Sequence, residues 1–274
     1  MYNTNLIAVS GKIKSGKDLV GSLLQYYISK KIHRMTIDSY DFLGYDSDKK
    51  EFLSGYKIVK FADKLKDIVC DLLNCTREDL EDRNFREKEL GEQWWYFKEP
   101  TGDNFKTKLI PYIGNEDRRD LYPPIKHTPR TLMQLIGTEA GREILHPDIW
   151  VNATFEPYTN ESKWIITDTR FLNELNRATY YKGITLRVNR NYENRFPEIY
   201  KQYMDDVLNN EEKALYTFED YIHDHENELY KKLFHKSETS LDDHEDKFDE
   251  VFDNNSSIRE LSKKIEGIVF NYNI

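Results

Sequence analysis

Gly11-Lys12-Ile13-Lys14-Ser15-Gly16-Lys17-Asp18 places its glycines and a lysine at the spacing G-x4-G-K. The two glycines let a backbone wrap a phosphate group, and the lysine brings it a mobile positive charge. A helix starting beyond Gly16 adds unpaired N–H groups and the positive end of its dipole. The chemistry on offer is phosphate binding. Position 18 departs from the usual loop of this kind, in which a Ser or Thr hydroxyl follows the lysine and reaches Mg²⁺. A carboxylate there can bind the metal directly, bind it through water, or hold Lys17 instead.

A second cluster follows Trp164-Ile165-Ile166-Thr167-Asp168, a buried strand with a carboxylate at its C-terminal end, where open α/β sheets gather their ligand loops. Asp168 can orient metal-bound water, or bind a substrate hydroxyl or an arginine. Two residues later Arg170 offers a planar, permanently charged fork suited to charge developing in phosphoryl transfer. Taken alone, the two read equally well as a structural ion pair. Arg130 follows Thr128-Pro129 in the first turn of a helix and opposes its dipole, so either a neighbouring anion or simple solvation accounts for it. Gly137-Thr138-Glu139 interrupts the same helix, for close approach of a ligand or for packing. Trp150 is either core or a ring for a base to stack on. His223, His225, His235 and His244 read as solvated rather than as metal ligands, since 223 and 225 cannot share a helix face.

These residues need particular elements to hold them. Leu6 to Val9 reads as a buried strand ending at Ser10-Gly11, and Leu19, Val20, Leu23, Leu24 and Tyr27 recur at helical spacing behind the loop. Tyr56 to Phe61 alternates as a strand, and Ala62 to Leu73 is helical. Thr128 caps a helix with Pro129 at its first position, and Asp148 is placed to cap a second. Trp164 to Thr167, Phe171 to Tyr181 and Ile184 to Val188 form a βαβ unit, with Gly183 as the helix C-cap. Val251-Phe252 and a helix capped by Ser256 or Ser257 close the chain. The result is one α/β domain over 1–274, with insertions at 38–56 (a loop), 91–125 (irregular, turning at Trp94-Trp95, Thr101-Gly102 and Pro123-Pro124) and 191–246 (acidic, solvated helices).

Composition limits the function. With 38% hydrophobic and 14% aromatic residues the chain folds, and a net charge of −9 argues against a surface that binds nucleic acid or anionic membrane, so a phosphate site must be local. Two cysteines, Cys70 and Cys75, make neither a disulfide framework nor a zinc site, and read as bland thiols in a reducing compartment. No apolar run approaches the ~20 residues that cross a bilayer, and no signal segment opens the chain. The expectation is a cytoplasmic protein.

Four separated segments together resemble the deoxynucleoside monophosphate kinases of tailed bacteriophages, within the wider class of P-loop small-molecule kinases. They are Ser10 to Asp18; Phe61-Ala62-Asp63-Lys64-Leu65-Lys66; Thr128-Pro129-Arg130 to Gln134, with Gly137-Thr138-Glu139 and Arg142 to Val151; and Thr167-Asp168-Thr169-Arg170-Phe171 with Asn173-Glu174. His235-Lys236-Ser237-Glu238 and Val251 to Asn254 are also similar, and G-K-D in place of G-K-S/T is shared.

The resemblance implies a three-layer P-loop kinase fold, with a central parallel sheet flanked by helices and helical insertions. It also implies transfer of the γ-phosphoryl of ATP, with Mg²⁺, to a deoxynucleoside 5′-monophosphate. ATP would lie on Gly11, Lys14, Ser15, Gly16, Lys17, Asp18 and Leu19, with Asp18 toward the metal. The acceptor would lie among Lys12, Arg130, Gln134, Gly137, Thr138, Trp150, Asp168, Arg170 and Glu174, and Lys17, Asp18, Asp168 and Arg170 would carry catalysis. Host cytoplasm and a homodimer are further implications. Leu19 and Thr131 depart from the pattern, where a Thr and a second basic residue are common. Other P-loop kinases, acting on a ribonucleotide, a nucleoside or a coenzyme precursor, and a catalytically weak nucleotide-binding protein are the alternatives.

Overall fold

The computed structural model describes residues 2–100, 107–209 and 215–274. Its strands are β1 (Asn3–Gly11), β2 (Lys57–Val59), β3 (Tyr96–Pro100), β4 (Thr107–Pro111), β5 (Trp164–Thr169), β6 (Gly183–Asn189) and β7 (Glu250–Asp253). The chain divides into two compact units, Met1–Phe61 with Pro157–Ile274, and Ala62–Glu156.

In the first unit five strands pair in parallel in the order β2-β5-β1-β6-β7. Strands buried on both faces need continuous apolar runs, and β1 meets that demand with Leu6, Ile7, Ala8 and Val9, all 0–1% exposed. Ile7 and Val9 join a core with Leu23, Leu24, Ile265 and Val269, from the helices Lys17–His33 and Ile258–Asn271. Leu6 and Ala8, alternating with them, face the other side, where helix Leu172–Tyr180 packs on β1 and β6. This is an all-parallel sheet flanked by helices, compatible with a three-layer α/β fold.

The chain leaves β1 toward β2 and β5, then crosses to β6 and β7, so the strand order reverses at β1. Loops diverge at the carboxyl end of such a strand and leave a crevice for ligands. The sheet thus makes the end of β1 the place to look.

Three expectations change in this first unit. Residues 38–56 hold two helices, Ser39–Leu43 and Ser47–Ser54, because Asp38 and Asp46 cap their first turns while Phe42 and Tyr56 enter the core. The described part of 191–246 is not merely solvated: Phe196, Phe218, Tyr221, Ile222 and Leu233 form a core of their own. Gly183 opens β6 instead of capping the preceding helix. Lys182 takes the left-handed backbone there, with φ 58°, and Gly183 is glycine because a Cβ would stand 2.9 Å from the Leu6 side chain and 3.0 Å from its carbonyl oxygen.

In the second unit β3 and β4 form an antiparallel pair over buried Phe97, Ile110 and Tyr112, where an irregular insertion was expected. The expected turn at Thr101-Gly102 lies outside the described residues. Helix Ala62–Leu73 has the expected bounds. Thr128 caps helix Pro129–Gln134 and Thr131 returns the bond to Thr128, so Thr131 has a capping function. Asp148 stands at the N-cap of helix Ile149–Phe155 but its side chain caps nothing. Cys70 and Cys75 are free thiols. Among the described residues no helix is long and apolar enough to cross a membrane.

Candidate functional site

Strand register brings the two sequence clusters together. Ser10 of β1 is paired with Thr169 of β5, and Gly11 with Val188 of β6. The loop beyond Gly11 and the turn bearing Arg170 therefore leave adjacent strands side by side. Within the loop Lys14 and Gly16 have φ of 60° and 95°, and Ser15 N donates to the Lys12 carbonyl at 3.0 Å. Such reversals turn successive N–H groups inward and make an anion-sized concavity. Helix Lys17–His33 starts here, and Gly16 at its N-cap brings no side chain to its open N–H groups. Ser15 Oγ is buried with no hydrogen-bond partner among the described residues, 2.3 Å from where a Cβ on Gly11 would stand. A ligand oxygen would satisfy that hydroxyl and those N–H groups, so the loop fits a phosphate chain.

Lys17 is 8% exposed. Burial lowers its pKa first, and repulsion from Arg170 lowers it further, against the partial support of Glu238, Asp18 and Asp168. A buried lysine beside an arginine can meet an anion at this point, in competition with the carboxylates of Glu238, Asp18 and Asp168. Asp18 is held through Oδ1 by Thr167 Oγ1 at 3.0 Å and by Lys60 Nζ at 2.9 Å. Burial raises its pKa, but the hydrogen bond and charge of Lys60, with help from Thr167 and Lys17, leave it below the ordinary carboxylate value. Asp168 accepts from the Phe61 N–H at 2.9 Å. Leu19 packs against the core behind the loop. Lys14 lies over the Phe196 ring, 4.7 Å from its centre.

A set of residues that sequence reasoning passed over holds this loop. Asn254 Nδ2 donates to the Ser15 carbonyl at 2.9 Å, and Arg195 Nε to the Ile13 carbonyl at 2.8 Å. The Ile13 N–H donates to Glu238 Oε2 at 2.5 Å, and the other oxygen of that carboxylate takes Arg170 Nη1. Asp242 bridges Lys12 at 2.7 Å and Arg187 at 3.1 Å, and Arg187 also donates to Ser10 Oγ at 2.9 Å. Only Glu238 and Asn254 carried any sequence signal, as members of the segments that resemble the phage kinases.

Glu174, expected near the acceptor, is 2% exposed, and its Oε2 accepts from the N–H groups of Arg170 (2.7 Å) and Phe171 (3.1 Å). It fixes the turn from which Arg170 projects.

The remaining expected residues lie in the second unit. Arg130 pairs with Glu87 at 2.5 Å, and Gln134 is exposed on the same helix. Gly137 and Thr138 belong to a π-helix, Leu135–Leu145, a rare conformation that concentrates at functional sites. Trp150 is 5% exposed and donates from Nε1 to the Gly137 carbonyl at 2.7 Å. Its ring lines a cavity of about 530 Å³ with Ile68, Ile136, Ala140 and Ile149.

Among the described residues no group of three or more His, Cys, Asp or Glu side chains is arranged to hold a metal ion. Mg²⁺ would fit here only in the way it binds with nucleotides generally, through phosphate oxygens and one or two carboxylates, and Asp18, whose Oδ1 is held by Thr167 and Lys60, is the carboxylate that would meet it. Comparison with protein-family models and with curated proteins returned no match to this chain.

Proposed function

We propose that the chain is an ATP-dependent kinase of deoxynucleoside 5′-monophosphates. One observation carries this reading: a loop with left-handed residues at a helix N-terminus sits at the strand-order reversal, with two cations beside it, buried Lys17 in the first turn of that helix and part-exposed Arg170 just past the adjacent strand β5. Phosphoryl transfer asks little covalent chemistry of a protein and much positioning and charge neutralisation, and these residues supply both. The loop N–H groups and Ser15 Oγ bind the donor phosphates. Lys17 and Arg170 offset charge on the transferring group. Asp168, tied to the Phe61 backbone, is fixed where it can orient an acceptor. Magnesium carried with the nucleotide would supply positive charge to the phosphates, and Asp18 would hold it directly or through water. The deoxynucleotide acceptor follows from the resemblance of the separated segments.

An acceptor panel read by ATP-dependent ADP release tests this. Release with deoxynucleoside monophosphates, lost in Lys17→Ala, is expected. Release only with a ribonucleotide, nucleoside or coenzyme precursor would move the chain to another small-molecule kinase. Thermal stabilisation by ATP without acceptor-dependent release would make it a nucleotide-binding protein.

A further inference from the structure

Glu238 has no part in the resemblance-derived set of site residues, yet its carboxylate stands at the centre of the site. Its side chain is 6% exposed, so it is shielded from solvent and its contacts are little screened. One oxygen accepts from the Ile13 N–H inside the loop and the other takes Arg170 Nη1. A buried carboxylate must be paired to be tolerated, and here both halves of the pairing belong to the phosphate site. The tether engages one of the guanidinium nitrogens, and Arg170 remains 32% exposed, so the rest of its fork stays available to a ligand. Lys17 and Arg170 repel each other, and Glu238 is the leading opposing charge at Lys17. An untethered arginine must also give up side-chain freedom when it meets a phosphate.

We propose that Glu238 is a positioning residue, which by gripping the Ile13 amide and the Arg170 guanidinium with one carboxylate sets Arg170 in register with the donor loop. It holds the cation where charge develops, ahead of substrate, and touches no reacting atom. The proposal rests on the kinase reading for its catalytic consequence and on the geometry alone for its effect on Arg170.

The test is a double-mutant cycle over Glu238→Gln and Arg170→Ala. Glu238→Gln keeps the shape and an acceptor for Ile13 N–H but removes the charge that holds Arg170. It is expected to lower kcat roughly 10- to 100-fold, the cost of a misplaced catalytic group, with KM for ATP within about threefold. The double variant should turn over no more slowly than Arg170→Ala alone. Unchanged kcat in Glu238→Gln, or multiplicative losses in the double variant, would overturn the proposal. Should Glu238→Gln fail to fold, Glu238→Asp keeps the buried charge but is too short to span both partners, and full activity in that variant would overturn it equally. If the wild-type protein releases no ADP with any acceptor, the kinase reading fails and the cycle is run on thermal stability. Tm shifts that couple between Glu238→Gln and Arg170→Ala then support the Glu238–Arg170 link, and additive shifts overturn it.

Discussion

The side-chain nitrogen of Asn254 donates to the Ser15 carbonyl at 2.9 Å and lies 2.5 Å from where a Cβ on Gly16 would stand. Gly16 also holds φ at 95°. A left-handed backbone and the absence of a side chain are thus both required at one position. Asn254 is itself anchored, since its N–H donates to the Asn189 carbonyl at 2.7 Å just past the paired ends of β6 and β7. The curvature of the loop is therefore set by the far edge of the sheet as well as by its own glycines.

Gly16→Ala separates these demands. The left-handed conformation costs a residue bearing a Cβ about 1–2 kcal/mol, and the collision with Asn254 adds to it. The variant is expected to lose stability in urea and to bind ATP more weakly by calorimetry. Measured against Asn254→Ala, which lacks both the collision and the bond to Ser15, Gly16→Ala should cost only the backbone part. Wild-type stability and affinity in Gly16→Ala would show that the loop does not need this geometry.

Much of this arrangement was legible in the sequence because its signals are local. The glycine spacing, the apolar run before it and the helical period behind it lie within a few turns of one another, and β1, the loop and helix Lys17–His33 follow. Thr128-Pro129 likewise announced a helix through its cap. What escaped depends on partners distant in sequence. Glu238 meets Ile13 across 225 positions and Asn254 meets Ser15 across 239, and no spacing rule reaches that far. The acidic stretch that supplies Glu238 and Asp242 read as solvent-facing because charge in sequence is silent about whether a cation waits in the fold. Gly183 looked like a cap because sequence alone did not reveal that Leu6 crowds it.

Lys17→Met should separate stability from function. Burial, and then Arg170, depress the Lys17 pKa in the folded protein below its ordinary value of 10.5. Protonation is therefore harder in the folded than in the unfolded chain, so the charge destabilises the fold at neutral pH, and this penalty fades as pH rises toward 10.5. Replacing the ammonium with an apolar group of similar length should raise Tm at pH 7, with the increment shrinking as pH approaches 10. Acceptor-dependent ADP release should fall by about 100-fold or more. A Tm that drops at pH 7, measured by calorimetry across that range, would assign Lys17 a role in holding the fold.

Trp150→Phe probes the second unit by itself. The indole donates to the Gly137 carbonyl at 2.7 Å within the π-helix, and Trp150 is 5% exposed. Phenylalanine keeps an aromatic ring but leaves that buried carbonyl without its side-chain partner, at a cost of about 1–3 kcal/mol. The smaller ring should also enlarge the cavity of about 530 Å³ that Trp150 lines, which adds to the loss. Urea denaturation should report a lower midpoint with an unchanged slope, since the surface exposed on unfolding hardly alters. An unshifted midpoint would mean that the bond to Gly137 contributes nothing to stability. Trp150 would then have to be explained by what it binds.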